Sequence, residues 1–262
     1  MRALRHVALC ALTLASAAPA ADAAGADATL LRWLGHGFFV LATRDGIRVA
    51  VDPFESSSLG YSLPDQIAAS VALVTRESHL SGATWQLSGN PEVFRSTTAV
   101  GVNRGSGITF LGISTFIDPD RAALGGRNIL FVFEADGIRF AFGGILNERL
   151  SQESLRAARG ADVLVAGFGP KLGPAGLLAT ASDLRAKVLI PSAYRTPFAE
   201  ATGAPDIAPL ADQAKTFDTS TVSLSKDALP KNLEVWMLAI PSREQRQKEG
   251  IDFPGMKENK WD

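Results

Sequence analysis

Residues 39–52, FVLATRDGIRVAVD, and residues 131–144, FVFEADGIRFAFGG, share one construction: an apolar β-rich run, Asp-Gly-Ile-Arg, and a second apolar run. Asp-Gly between such runs is a strong short-range hairpin signal, because a tight I′ turn needs positive φ at both central positions and these residues tolerate it. Each segment is therefore predicted to be a β-hairpin whose second strand runs into a loop, after Val51 in one and Phe142 in the other. Two origins fit this likeness. An internal duplication would place two similar β halves face to face with those loops at related positions; two ordinary hairpins sharing a favoured turn would not.

Outward from the hairpins the chain keeps the same texture. LLRWLG (30–35), VALVT (71–75), TAVGV (98–102), GITFLGI (107–113), ADVLVAG (161–167), KVLIP (187–191) and LEVWMLAI (233–240) are short apolar runs bounded by turn residues, which predicts a sheet-dominated core. Helices are predicted in the second half, over residues 151–159, 177–186 and 210–217. Ser151 supplies a cap for the first of these and Glu153 an acid in its first turn.

The composition is that of a globular chain: 262 residues, 46% hydrophobic and 20% charged, with 26 basic against 27 acidic residues. The near-zero net charge gives no excess to hold nucleic acid or an anionic membrane, so a nucleic-acid partner is not expected. At the N-terminus, Arg2, Arg5 and His6 precede an apolar run from Val7 to Ala18 and two A-x-A patterns ending at Ala20 and Ala23. Residues 1–28 are thus expected to be a secretory signal peptide, its apolar run shorter than the roughly 20 residues a membrane span needs. Residues 29–242 are expected to form the folded domain, periplasmic or secreted, with no membrane span. Residues 243–262, dense in charge, are expected to be a surface tail. Cys10 lies in the cleaved run, so the mature chain has no thiol for a disulfide or for catalysis.

Trp33-Leu34-Gly35-His36, the first hairpin into Asp52-Pro53-Phe54, and the VALVT strand together resemble the opening of the metallo-β-lactamase fold superfamily, in particular its branch of ascorbate-6-phosphate lactonases and metal-dependent hydrolases. The second hairpin resembles that family's central hairpin ending in Gly-Asp, and KVLIP the strand before its last histidine. The likeness spans residues 30–198. It implies a mixed α/β fold, a four-layer αββα sandwich, with a site at the edge between the two sheets.

The resemblance also implies a ligand set, and this sequence lacks it. The family's H-x-H-x-D-H places its leading histidines on Arg76 and Ser78, its aspartate on Leu80 and its closing histidine on Ser81. The bridging carboxylate falls on Gly144, the last histidine on Ala193, and a further histidine on Ile117 beside Asp118. Zinc sites of this type draw on neutral imidazoles completed by carboxylates, yet the chain has only three histidines, His6, His36 and His79, the first of them in the leader. Arg76 puts a permanent cation where a ligand belongs.

The candidate pocket residues are His36, Asp52, Arg76, Glu77, Ser78, His79, Asp118 and Tyr194, with Asn147 in the same region; His36 is read first as a structural turn residue and His79 first as a solvated loop residue. Asp52 is expected to hold its loop by accepting backbone N–H bonds, and Arg76 either to face a ligand or to pair with Asp118 or Glu77. Neither phosphate-loop motif nor G-x-S-x-G is present, and Ser78 beside His79 is an adjacency in sequence, not a dyad. The chain is read as a pseudoenzyme without cofactor that binds a small molecule or a protein partner. The alternative is a hydrolase acting on an ester, lactone or phosphoester, with zinc or another metal held by Glu77, His79 and Asp118, or without metal. A subunit assisting an active paralogue is a third possibility. Residues 196–230 are expected to form a lid or partner surface.

Overall fold

A computed structural model describes residues 28–64, 66–116, 126–242 and 244. The signal-peptide reading, the tail and Asp118 with Ile117 fall almost wholly outside these residues. The chain begins with β1 (Thr29–Gly35), β2 (Phe38–Ala42), β3 (Arg48–Val51), β4 (Ile67–Ala68), β5 (Val71–Val74), β6 (Leu87–Ser88), β7 (Glu92–Arg95), β8 (Gly101–Gly105), β9 (Ile108–Phe116), β10 (Arg127–Ala135) and β11 (Ile138–Leu146). It continues through α1 (Gln152–Ala158), β12 (Val163–Phe168), α2 (Gly173–Leu184), β13 (Val188–Pro191), α3 (Ala208–Ala211), β14 (Lys215–Thr216), β15 (Thr221–Leu224) and β16 (Glu234–Met237).

The strands form two large sheets, β15-β1-β2-β3-β5-β7 and β14-β16-β13-β12-β11-β10-β9-β8, and the two predicted hairpins sit in opposite sheets. Their inner faces meet in one core, where Leu31, Trp33, Phe39, Leu41, Val51 and Leu73 pack against Phe110, Phe131, Phe133, Phe140, Phe142 and Val165. Phe39 and Phe142 lie 6.4 Å apart between ring centres across the layers. The strands VALV, VLVAGF and VLIP are buried throughout and pair in parallel, as continuous apolar runs do when both faces of a sheet are covered.

The covers of the two sheets differ. Leu177, Ala181 and Leu184 of α2 and Ala158 of α1 close the outer face of the second sheet. Over the first sheet, Phe38, Val40 and Ala50 are covered by Phe54, Leu59, Tyr61 and Ala199, a cover with no α-helix among the described residues. The apolar side chains between residues 54 and 69 lack helical spacing, and Pro53 and Pro64 interrupt them, so irregular chain supplies the outer layer.

Local elements depart from expectation in several places. The helix at 151–159 forms as α1, with the Ser151 hydroxyl accepting from the Ser154 N–H at 3.1 Å, and α2 begins at Gly173 rather than 177. The helix expected at 210–217 is only the single turn of α3, because Lys215–Thr216 pairs in parallel with Trp236–Met237 and Phe217 packs on the Trp236 ring at 5.0 Å. Only the second hairpin has a tight Asp-Gly turn, with Asp136 at φ 52 and Gly137 at φ 79. In the first, the Thr43 N–H donates to the Ile47 carbonyl at 2.9 Å and the Gly46 N–H to the Thr43 carbonyl at 3.0 Å, so the loop holds three residues, of which only Gly46 (φ 86) is left-handed. Part of residues 196–230 is built into the sandwich: Thr196 bonds the Tyr61 hydroxyl at 2.5 Å, and the segment returns to the first sheet as β15, beside β1.

Candidate functional site

The carboxyl ends of β3 and β5 in one sheet, β13 and the end of β11 in the other, and the β1–β2 turn meet at one edge of the sandwich. There they enclose a pocket of about 20 Å³ lined by His36, Gly37, Asp52, Thr75, Arg76, Leu80, Ser81, Gly144, Ile145, Ser192 and Ala193. Ligands of open α/β sheets bind beyond the carboxyl ends of strands for the same topological reason. Five of the positions onto which the metal ligands were mapped, Arg76, Leu80, Ser81, Gly144 and Ala193, are therefore brought together. The backbone is unusual here: His36 (φ 47), Asp52 (φ 50), Gly144 (φ 56) and Ala193 (φ 52) are all left-handed, and such conformations in non-glycine residues store strain of about 1–3 kcal/mol each.

Asp52 is 4% exposed. Its Oδ1 accepts from the Thr75 N–H at 2.7 Å and its Oδ2 from the Thr75 hydroxyl at 2.6 Å, so it ties β3 to the end of β5. Burial pushes its carboxyl up from 3.8 to about 7, against the pull of the Thr75 bonds and of Arg76. His36 is also 4% exposed, and its Nδ1 is enclosed without a hydrogen bond. Burial, reinforced by Arg76 and then His79, lowers its imidazole from 6.5 to about 4, so it is neutral near pH 7. Arg76 is half-buried; burial lowers its pKa and Asp52 opposes the shift, but an arginine remains cationic under either influence. Its guanidinium makes no hydrogen bond or ion pair among the described residues.

The other candidates lie elsewhere. Glu77 pairs with Arg95 at 2.9 Å and not with Arg76, because Arg95 on the neighbouring strand β7 faces it. The Ser78 hydroxyl accepts from the Leu80 N–H at 3.1 Å and its carbonyl from the Ser81 and Gly82 N–H groups, which makes it a turn residue. His79 is exposed, with its carbonyl accepting from the Glu55 N–H at 2.8 Å. Tyr194 is 4% exposed and packs on Trp33 at 5.4 Å inside the core, where burial raises its phenol well above the ordinary value. Asn147 is at the end of β11, with its Oδ1 accepting from the Lys171 N–H. Asp118 lies outside the described residues. Thr75, Gly37, Ile145 and Ser192 line the pocket without having been singled out; only Thr75, closing an apolar strand, carries any signal in the sequence.

No three His, Cys, Asp or Glu side chains among the described residues are grouped to hold a metal ion. Among the described residues, the pocket offers one imidazole and one carboxylate whose two oxygens already serve Thr75. A Cβ at Gly144 would lie 2.2 Å from the Thr75 hydroxyl oxygen and 2.7 Å from Asn128 Oδ1, so the space for a carboxylate at that position is filled. This donor set does not fit a zinc-type site, which needs three or four convergent N, O or S ligands.

A two-sheet sandwich with its site at the strand ends, as found here, defines a metallo-β-lactamase-like fold. Residues 30–193 match the β-lactamase superfamily domain, and the chain belongs to that family. Among solved structures, a Thermotoga maritima protein assigned to the Zn-dependent hydrolases of the metallo-β-lactamase superfamily is 26% identical, with a TM-score of 0.64 over 81% of this chain and 99% of that one. A protein of Parabacteroides distasonis assigned as a metal-dependent hydrolase is 16% identical, with a TM-score of 0.50 over 79% and 92% of the two chains. A metallo-β-lactamase-fold protein of Bacillus subtilis is 9% identical, with a TM-score of 0.51 over 82% and 98%. No curated protein matches the sequence. No helix among the described residues is long and apolar enough to cross a membrane.

Proposed function

We infer that this is an exported, non-catalytic member of the superfamily, in which the site at the sheet edge is kept as a binding pocket. One observation carries the reading: the pocket that gathers the mapped ligand positions holds a guanidinium, a leucine, a serine, a glycine and an alanine there. A fixed cation in that place repels a divalent ion, while the left-handed backbone around it retains the shape of a site. The N-terminal Arg2, Arg5, apolar run and A-x-A patterns support export.

The test is elemental analysis of mature protein purified without chelators and without a histidine-rich tag. The expected result is far below one equivalent of zinc, iron or manganese, in a protein that still melts cooperatively. Stoichiometric metal would overturn the reading. It would favour the second one, hydrolysis of an ester, lactone or phosphoester, of which the name of the Thermotoga protein supports only metal-dependent hydrolysis, and Glu77, His79 and Asp118 would then be replaced in turn.

A further inference from the structure

We propose that the pocket at the sheet edge binds a carboxylate group, received by the Arg76 guanidinium and the His36 imidazole. The proposal rests on the reading of the site as metal-free and names its ligand class. Arg76 lines the pocket with no partner among the described residues, although a half-buried guanidinium has five N–H donors to satisfy. His36 lines the same pocket with its side chain equally unpartnered. The neutral ring has one N–H to offer. Ser192, buried at the end of β13, adds a hydroxyl to the wall.

This set of donors selects among anions. A planar carboxylate matches the fork of a guanidinium with two parallel N–H···O bonds, which a spherical halide cannot use. Above about pH 7, where Asp52 in the wall loses its proton, its charge disfavours a dianion more than a monoanion, because like charges at this range repel. The volume of about 20 Å³ exceeds the roughly 10–15 Å³ that one water requires and excludes a bulky ligand head. The occupant is thus a free small carboxylate or the carboxylate end of a longer molecule whose remainder stays outside the pocket.

The experiment is a titration of chelator-treated full-length mature protein at constant ionic strength with formate, acetate, hexanoate, chloride and phosphate. It is followed by Tm and by the ¹H NMR signals of the His36 and His79 rings. The expected result is a saturable movement of the His36 signal with a carboxylate, and a Tm rise of roughly 5 °C at about fifty times Kd. Formate and acetate acting alike points to a free small acid; hexanoate acting alone points to a longer one. Arg76→Lys should weaken binding at least tenfold, and Arg76→Gln should abolish it, by loss of the fork and then of the charge. An unmoved His36 signal in the wild-type protein overturns the proposal without any variant, as does an equal response to chloride or phosphate, or a response kept in Arg76→Gln. Metal content measured on the same preparation separates the two readings: a metal-free protein that ignores carboxylates sinks only this proposal, whereas stoichiometric metal before chelation sinks the one beneath it.

Discussion

His36 and Asp52 are neighbours in one pocket wall, and burial moves their pKa values in opposite directions. The folded imidazole stays neutral down to about 4 while the unfolded one protonates near 6.5, so its contribution to stability is complete above 6.5 and is lost as pH falls toward 4. The folded carboxyl keeps its proton up to about 7 while the unfolded one releases it near 3.9, so its contribution is complete at low pH and is lost as pH rises toward 7. Between pH 4 and 6.5 the two slopes oppose one another. Each is worth on the order of 3 kcal/mol across its window, and the wild-type protein should show little net slope from this pair. Urea melts at pH 4.5 and 6.5 should find Asp52→Asn clearly more stable at the higher pH and His36→Asn clearly more stable at the lower; an Asp52→Asn protein with flat stability would show that the imidazole is not held neutral by the fold. Both residues could be picked out in the sequence as strand-end polar groups beside a glycine or proline. Their shared wall could not, because it depends on β5 passing beside β3 so that Thr75 meets Asp52. Ser192 and Ile145 gave no signal at all, since nothing distinguishes a serine or an isoleucine at a strand end from one in any loop.

At the scale of elements, the end of β11 decides what the pocket can hold. Phe142 pairs with Val165 and Gly144 with Ala166, so Gly143 is an extra residue and the strand bulges toward the first sheet, as bulges do where a strand end is re-aimed beside a site. The bulge brings Gly144 against Thr75. Gly144→Ala should destabilise the protein by about 3 kcal/mol, from the close approach of its Cβ to the Thr75 hydroxyl together with the left-handed backbone. In a Thr75→Ala background the penalty should shrink, and a double-mutant cycle with no coupling would place the strain elsewhere. Gly144→Asp should behave like Gly144→Ala and bind no zinc, so returning one family residue does not rebuild the site. The hairpin carrying this bulge was legible from its Asp-Gly turn and alternating apolar residues, and so was its partner in the other sheet. The loop of that partner is one residue longer than its Asp-Gly suggests, because only Gly46 of that dipeptide takes the left-handed conformation that a two-residue turn needs at both positions. TAVGV slid to Gly101–Gly105 for a related reason: a short run at a sheet edge has few neighbours to fix its register.

For the molecule as a whole, the family match ends at residue 193 but the sandwich does not. After β13 and the short β14 of the same sheet, the chain crosses to the first sheet, where Thr221–Leu224 covers the free edge of β1. It then returns to the second sheet, where Glu234 and Val235 pair with Val188 and Leu189. On that path Val222, Leu224, Leu229, Trp236 and Leu238 enter the core between the sheets. Burying five such side chains contributes roughly 8–15 kcal/mol, as much as the whole net stability of an ordinary domain, about 5–15 kcal/mol. Removing the segment would also leave β1 and β13 as unpaired edges flanked by exposed core, the arrangement most prone to pairing between chains. A chain ended at residue 195 retains every residue that lines the pocket, yet it should lose the cooperative thermal transition of the full chain and bind a hydrophobic dye at room temperature. A sharp transition near the full-length Tm would instead mean that the two sheets close without the crossover, and that the pocket is carried by the family-matched residues alone.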